Sequence, residues 1–387
     1  MQFPRVASFV EIDREAVGWN ARVFRDVLGP AVRLGGVLKG NAYGHGFAEV
    51  LPLAHAACDV LYVIDPRDAL AVRAWEQSAA APRRQVLVLG AVAPEEAVEL
   101  ARASVEVVLT DPGQAAFVPA LRAAGAVLRA HLHLDTGLGR EGFTPGQLPT
   151  EAAWLSAARD VIQIAGALSH FANTEDVTEQ TYAAQQLAAF DEGVARLRST
   201  LSLEGALERH IAASAAALLL PRARYDAVRI GISLYGLWPS NETRLSARAL
   251  LGKVPELRPA LSWRCPVQLT KWLPAGSYVG YGCTYRCPAD TRIAVLPVGY
   301  YDGYPRLLSS RAHVLIEGRR CPLLGRVMMN HLVVDVTRAS PAAPAVATLL
   351  GRDGDEQLTA DQLAGWAQTI NYEIVTRLGS HLRRVVI

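Results

Sequence analysis

Gly35-Gly36-Val37-Leu38-Lys39-Gly40-Asn41-Ala42-Tyr43-Gly44-His45-Gly46 is the stretch from which the rest of the 387-residue chain can be read. A short apolar strand ends in a lysine. A turn with glycines at 40, 44 and 46 follows, and a helix pattern begins at Phe47-Ala48-Glu49-Val50. Burying an ammonium at a strand end is unfavourable, so the lysine needs a reason. One reason is to offer a neutral amine for a Schiff base. The glycine turn would then let backbone and the Tyr43 hydroxyl approach a phosphate, which together points to pyridoxal phosphate on Lys39. The plainer reading is a strand-end lysine reaching to solvent along its own aliphatic stem.

Working outward, short apolar strands alternate with amphipathic helices. Ala7–Asp13 alternates like a strand, and Asp13 can cap a helix over 14–28 with Glu15 in its first turn. Further strands are expected at 32–39, 59–64, 85–90, 105–110, 126–135, 161–169, 208–214 and 227–235. Helices are expected at 66–77, 94–103, 112–123, 147–158, 176–198 and 214–220. The strands are apolar throughout, as when both faces are covered. Eight strand–helix units in about 245 residues have the size and rhythm of a (β/α)8 barrel. A doubly wound open sheet is the runner-up, but no GxGxxG follows the first strand.

Near residue 245 the character changes. Strands are expected at 260–270, 277–285, 292–298, 312–316, 321–324 and 332–336, divided by turns such as Pro-Ala-Gly and Glu-Gly-Arg-Arg. The fold class is thus α/β, a barrel over 1–245 followed by a mostly β domain over 246–387. The first ten or so residues are free to join the β domain, and Ser240–Pro259 is the connection.

Composition is ordinary for a globular chain, with 51% apolar and 20% charged residues, and the net charge of +2 gives no sign of nucleic-acid or membrane-surface partners. Five cysteines form no CxxC pair, and Cys283-Thr-Tyr-Arg-Cys287 lacks the further ligands of a zinc site. They read as reduced thiols. With no apolar leader and no membrane-length run, a cytoplasmic location is expected.

In such a barrel, reactive groups lie at the C-terminal ends of strands. Lys39 ends the first. The fifth ends His131-Leu-His133-Leu-Asp135, whose alternation sets the three polar residues on one side. Metal binding is the tempting reading and a hydrogen-bonded polar layer the plainer one; no metal is expected. The sixth strand ends at His170. The seventh ends at Ser214, where the plainer role is a helix cap. The loops after strands seven and eight commonly hold phosphate, which brings in Ser214 with the backbone of Gly231 and Ile232.

Beyond these patterns, the Lys39 string resembles the cofactor-lysine motif of alanine racemases. The resemblance runs in matching order from Ala7 to Val386. It includes Asp135-Thr-Gly-Leu-Gly-Arg140, Val228-Arg229-Ile-Gly-Ile-Ser-Leu-Tyr-Gly236, Val279-Gly-Tyr281-Gly-Cys-Thr-Tyr285, Val298-Gly-Tyr300-Tyr-Asp-Gly-Tyr-Pro-Arg306, Leu324-Gly-Arg326-Val-Met-Met329-Asn330 and Asn371-Tyr372-Glu373. It implies a pyridoxal phosphate enzyme that interconverts L- and D-alanine in a bacterial cytoplasm for the cell wall. Lys39 would carry the cofactor, and Tyr43, Ser214, Gly231, Ile232 and Tyr372 would cradle its phosphate. His170 would lie near the ring and couple to Arg229, which faces the pyridine nitrogen. Arg140, Met329 and Tyr300 would contact the amino acid, with Arg306, Arg326 and Glu175 farther along the entry. Racemisation needs proton transfer on both faces of Cα, hence a second group beside Lys39. By the same resemblance that group would be Tyr281, contributed by the partner subunit of a homodimer, with His170 and Arg229 to supply the positive charge that lowers its pKa.

Departures from the family pattern surround the substrate pocket. Gly40 stands for Ala, Ala213 for Asn, Tyr301 for Ala and Asn330 for Asp. His133 stands where many members have a carbamylated lysine. A serine or broad-specificity racemase of the same fold is therefore the nearest alternative. A decarboxylase would need a carboxylate where Arg229 stands, and a non-catalytic cofactor-binding protein would lack the β domain.

Overall fold

Strands β2 to β9 are Arg33–Val37, Val60–Val63, Gln85–Val88, Glu106–Leu109, Leu128–His133, Ile162–Leu168, Glu208–His210 and Ala227–Ile230; β1 is Phe9–Ile12. The computed structural model describes residues 7–175, 180–339 and 345–387. By contacts the chain divides into two units, one of residues 17–39 and 51–257, the other of 1–16, 40–50 and 258–387.

In the first unit β2 to β9 form one eight-stranded parallel sheet, with β9 beside β2 and β8 at the other end. The Arg229 amide donates to the Ala212 carbonyl at 2.9 Å, which nearly closes the ring into a barrel. The all-apolar β3 is buried along its whole length. Glycines make room inside: a Cβ on Gly35 would meet the Tyr62 ring at 2.0 Å, and one on Gly166 would meet Nδ1 of His131 at 2.3 Å. The expected strands sit at their expected places, shortened at their ends. The helix expected over 147–158 is two single turns, Leu148–Glu151 and Trp154–Ala157. The one expected over 176–198 is Thr181–Leu201; its expected start lies outside the described residues. Ser240–Pro259 is no plain connection. It contains the helix Asn241–Leu251, begun by the Ser240 side chain accepting from the Thr243 amide and ended by Gly252 at φ 69°.

In the second unit a seven-stranded sheet runs Arg319–Pro322, His313–Ile316, Val346–Asp353, Leu261–Pro266, β1 and Arg383–Val386, with Glu356–Leu358 beside Val346–Asp353. The strand expected over 260–270 is broken after Pro266, and Leu269–Leu273 pairs instead with Thr291–Leu296 in a second sheet. The strand expected over 277–285 is a narrow hairpin of Tyr278–Val279 and Tyr285–Arg286. Its stems pack Val279 and Cys287 into a buried cluster with Ile293, Leu324 and Val333.

Immediately after Lys39, residues 40 to 43 have φ of 63°, 54°, 53° and 53°. This is one left-handed helical turn, closed by the Gly44 amide donating to the Gly40 carbonyl at 2.9 Å. Only Gly40 adopts it freely; each L-residue in such a turn costs roughly 1–2 kcal/mol. The Asn41 side chain recovers part of this by accepting from the Phe47 amide at 2.8 Å, at the start of the helix Phe47–Ala57.

Candidate active site

The C-terminal end of the barrel gathers most of the residues expected from the sequence. Lys39 follows β2 and opens to solvent. Partial burial, then the charges of Arg140 and Arg229, lower its pKa, with Glu141 opposing. A larger share of the neutral amine follows.

Arg229, on β9, is 5% exposed. Burial lowers its pKa to about 10, so it remains a cation at neutral pH. Among the described residues no carboxylate touches it. Nη1 donates to Nδ1 and to the carbonyl of His210, both at 2.8 Å. Nη2 donates to the carbonyls of Ser169 and Ile211 and reaches Nδ1 of His170 at 3.2 Å. These bonds occupy both Nη groups and leave the Nε–H as the donor not engaged by any described residue.

His170 thus couples to Arg229. Burial, then Arg229, Arg140 and Lys39, hold its pKa down to about 3, so it is neutral at pH 7 and adds no positive charge. That differs from the expected role of His170 as a cationic neighbour for Tyr281. Ser214 begins the helix Ser214–Leu219, and its Oγ accepts from the Gly231 amide at 3.1 Å. Ile232 opens the next turn, fixed where the Tyr235 hydroxyl donates to the Val37 carbonyl at 2.8 Å. Ser214, Gly231 and Ile232 are therefore brought together.

Of the His131, His133 and Asp135 trio, none points to metal. Asp135 accepts from the amides of Gly137 and Gly139 at 2.9 and 3.1 Å and shapes the loop that carries Arg140. His131 bonds to Glu106 and His210, each at 2.8 Å. Burial, then Arg229 and Arg140, lower the pKa of His133 to about 4, so it is neutral. Its Nδ1 lies 3.7 Å from Glu141 Oε1, and that carboxylate also holds Arg140. Among the described residues no group of three or more His, Cys, Asp or Glu is arranged to hold a metal ion.

The second unit carries the remaining residues. Tyr43 is buried, which pushes its hydroxyl pKa up, and its ring centroid is 6.2 Å from that of Tyr372. Tyr300 and Met329 are neighbours, because the Tyr300 and Tyr301 amides donate to the Met328 and Met329 carbonyls at 3.0 Å. A Cβ on Gly299 would strike those two carbonyls, so this approach needs a glycine. Tyr281 caps the Tyr278–Arg286 hairpin between Gly280 and Gly282, both at φ 75°, and is 72% exposed. It is the presented tip of the hairpin.

Sequence reasoning passed over three residues that the site uses. Glu141 holds the arginine it follows. His210 receives Arg229. Glu106 starts an otherwise apolar strand, and a carboxylate there was the available signal. The described cysteines are all free thiols.

The arrangement suits pyridoxal phosphate. It offers an amine of lowered pKa, a hydroxyl with backbone amides at a helix start, and a fixed guanidinium with one uncommitted N–H. Two family models match: alanine racemase, N-terminal domain, over residues 12–239, and alanine racemase, C-terminal domain, over residues 260–386. An alanine racemase of Leptospira interrogans is 37% identical over 386 residues, 98% of this chain and 96% of that protein. The crystal structure of alanine racemase from D-cycloserine-producing Streptomyces lavendulae superposes with a TM-score of 0.87 at 34% identity, covering 100% of this chain and 98% of that one. Alanine racemase from Bartonella henselae, solved with covalently bound pyridoxal phosphate, has a TM-score of 0.80 at 25% identity, covering 98% and 99%. With both domains matched in order and nearly the whole length aligned, the chain belongs to the alanine racemase family and is an isomerase.

Proposed function

We propose that the chain interconverts L- and D-alanine by two-base proton transfer, using pyridoxal phosphate on Lys39. Bound, the cofactor supplies an aldehyde for amine exchange and a ring that draws electron density from Cα. Every other step falls to the residues. Lys39 Nζ takes or returns the α-proton on one face, and the Tyr281 hydroxyl does so on the other. Arg140 holds the substrate carboxylate through its guanidinium, and Met329 and Tyr300 bound the space for a small side chain. Ser214, Gly231 and Ile232, with the hydroxyls of Tyr43 and Tyr372, hold the phosphate. His170 would lie beside the ring of the bound cofactor.

The observation that carries this reading is the state of Arg229: a buried guanidinium with no carboxylate in contact and only its Nε–H uncommitted. A guanidinium donates and does not accept. Set opposite the ring nitrogen of a bound cofactor, it would leave that nitrogen unprotonated and the electron sink weak. A weak sink would favour prompt return of the α-proton, and so racemisation, over transamination or decarboxylation. Initial rates across an amino acid panel test this: alanine should racemise fastest, whereas comparable serine rates would support a broad-specificity racemase.

Tyr281 is 72% exposed, Met329 54% and Tyr300 42%, which suits a second copy covering this face and lending Tyr281 to the neighbouring site. Mixing Lys39→Ala and Tyr281→Phe chains tests the sharing. A mixed dimer regains one intact site if Tyr281 crosses over, and none if each chain uses its own. The proposed setting is a bacterial cytoplasm, with D-alanine supplied to peptidoglycan. Among the described residues no helix is long and apolar enough to cross a membrane.

A further inference from the structure

A chain of hydrogen bonds runs through the barrel interior away from the candidate site. Arg229 Nη1 meets His210 Nδ1 at 2.8 Å, His210 Nε2 meets His131 Nδ1 at 2.8 Å, and His131 Nε2 meets Glu106 Oε2 at 2.8 Å. Arg229, His210, His131 and Glu106 come from four different strands, β9, β8, β6 and β5. All four residues are under 10% exposed.

The chemistry of the first donor fixes every proton. A guanidinium cannot accept, so His210 Nδ1 must accept. The His210 proton therefore sits on Nε2 and is donated to His131 Nδ1. The His131 proton is then on Nε2 and is donated to Glu106. Both imidazoles are neutral and all three bonds point from the cation to the carboxylate. Burial, then Arg229, hold the His210 pKa well below its usual value, in keeping with this.

The surroundings are shaped for the relay. Gly166 leaves space that a Cβ would take from His131, and the Tyr62 ring, itself admitted by Gly35, lies over His210 at 5.6 Å. At the far end Glu106 also accepts from Arg129 at 2.9 Å and Gln85 at 2.7 Å, beside a polar cavity of about 340 Å³ that Arg33 and Glu208 help to line. Burial raises the Glu106 pKa, but the hydrogen bonds from His131, Arg129 and Gln85 outweigh it and hold the group at about 2. The carboxylate is ionised throughout the working range.

Leaving a buried cation without a counterion is costly, and among the described residues no carboxylate touches Arg229. We infer that Glu106 is the remote counterion of Arg229 and that, through His131 and His210, it is a positioning residue that fixes which guanidinium hydrogen is left for the ring of the bound cofactor. The functional half of this rests on the racemase reading; the proton order does not. Removing the charge, as in Glu106→Gln, leaves an amide able to donate as well as accept. The two imidazoles can then reverse, which turns an N–H of His210 against Arg229 and loosens it.

The test is ¹⁵N NMR of histidine-labelled full-length protein freed of cofactor, with signals assigned through His131→Gln and His210→Gln. The expected result is a proton on Nε2 and none on Nδ1 for both rings. In Glu106→Gln the His210 pattern should change and pyridoxal phosphate should bind about tenfold more weakly, the scale of one charge-assisted hydrogen bond. Glu208→Gln, off the relay but on the same barrel floor, should match the parent in both. A proton on Nδ1 of either ring in the parent overturns the inference, as does Glu106→Gln with unchanged His210 signals and unchanged affinity. Should Glu106→Gln fail to fold, the parent tautomers decide alone. A protein with the expected tautomers but no racemisation would contradict the proposed function and leave the relay standing.

Discussion

Glu141 holds Arg140 by a single carboxylate oxygen, Oε1, which accepts from Nε at 3.1 Å and from Nη2 at 2.7 Å. The pair is largely exposed, with 57% of the Arg140 side chain accessible, so it adds little to stability. Its value is orientation of a group proposed to bind the substrate carboxylate. Exposed pairs contribute up to about 1 kcal/mol, so Glu141→Gln should raise KM for alanine by roughly two- to fivefold, with a smaller change in kcat. Glu141 also raises the Lys39 pKa against its other neighbours. Its loss should move the acid limb of the pH–rate profile to lower pH. An unchanged KM together with an unmoved limb would contradict this role.

Tyr281 offers a separation of stability from chemistry. At 72% exposure its hydroxyl supports no buried contact within its own chain. Tyr281→Phe should therefore leave unfolding free energy within about 0.5 kcal/mol of the parent. Activity should fall by about 10²- to 10⁴-fold, the range for loss of a general acid–base group. Urea unfolding and steady-state rates measured on one preparation check both halves. Retained activity would remove Tyr281 from the proposed pair.

Several barrel histidines are buried neutral, and this has a direction in pH. His133 titrates at about 4 and His170 at about 3 in the fold, against 6.5 for an ordinary histidine. The unfolded chain therefore binds more protons below pH 6.5. Stability from these groups is complete above that value and is lost as pH falls toward 4. For His133 the span corresponds to at most about 3 kcal/mol. Glu106 stays ionised in the fold throughout this window, and because its unfolded carboxyl takes up protons only near pH 4.5, it adds to the slope at the acid end alone. Unfolding free energy should thus decline between pH 6.5 and 4.5, and His133→Gln should flatten the decline. A level profile over that range would show that these imidazoles are not held neutral.

Much of this was readable in the chain. The β3, β4 and β5 segments are short apolar runs between helices, so their place in a parallel barrel follows from local pattern. The strand ends then marked Lys39, His170 and Ser214, and the family resemblance added Arg140 and Arg229. What escaped was non-local. Arg383–Val386 pairs in parallel with Phe9–Ile12, and nothing in either segment specifies a partner at the opposite end of the chain. Asn41, Ala42 and Tyr43 adopt left-handed φ against the preference of Ala and Tyr, which only tertiary packing can impose. Glu106 and His210 are far apart in sequence, and only barrel closure links them through His131. The helix Asn241–Leu251 is a different kind of miss, because Ser240 and Gly252 were visible start and stop signals.

The chain has three lysines, Lys39, Lys253 and Lys271. Borohydride reduction of the protein loaded with pyridoxal phosphate, followed by peptide mapping, distinguishes them directly. The expected result is one stoichiometric pyridoxyl group, on the peptide containing Lys39, and none in Lys39→Ala. Label on Lys253 or Lys271, or no label on Lys39 in a protein that racemises alanine, would contradict the proposal that Lys39 carries the cofactor.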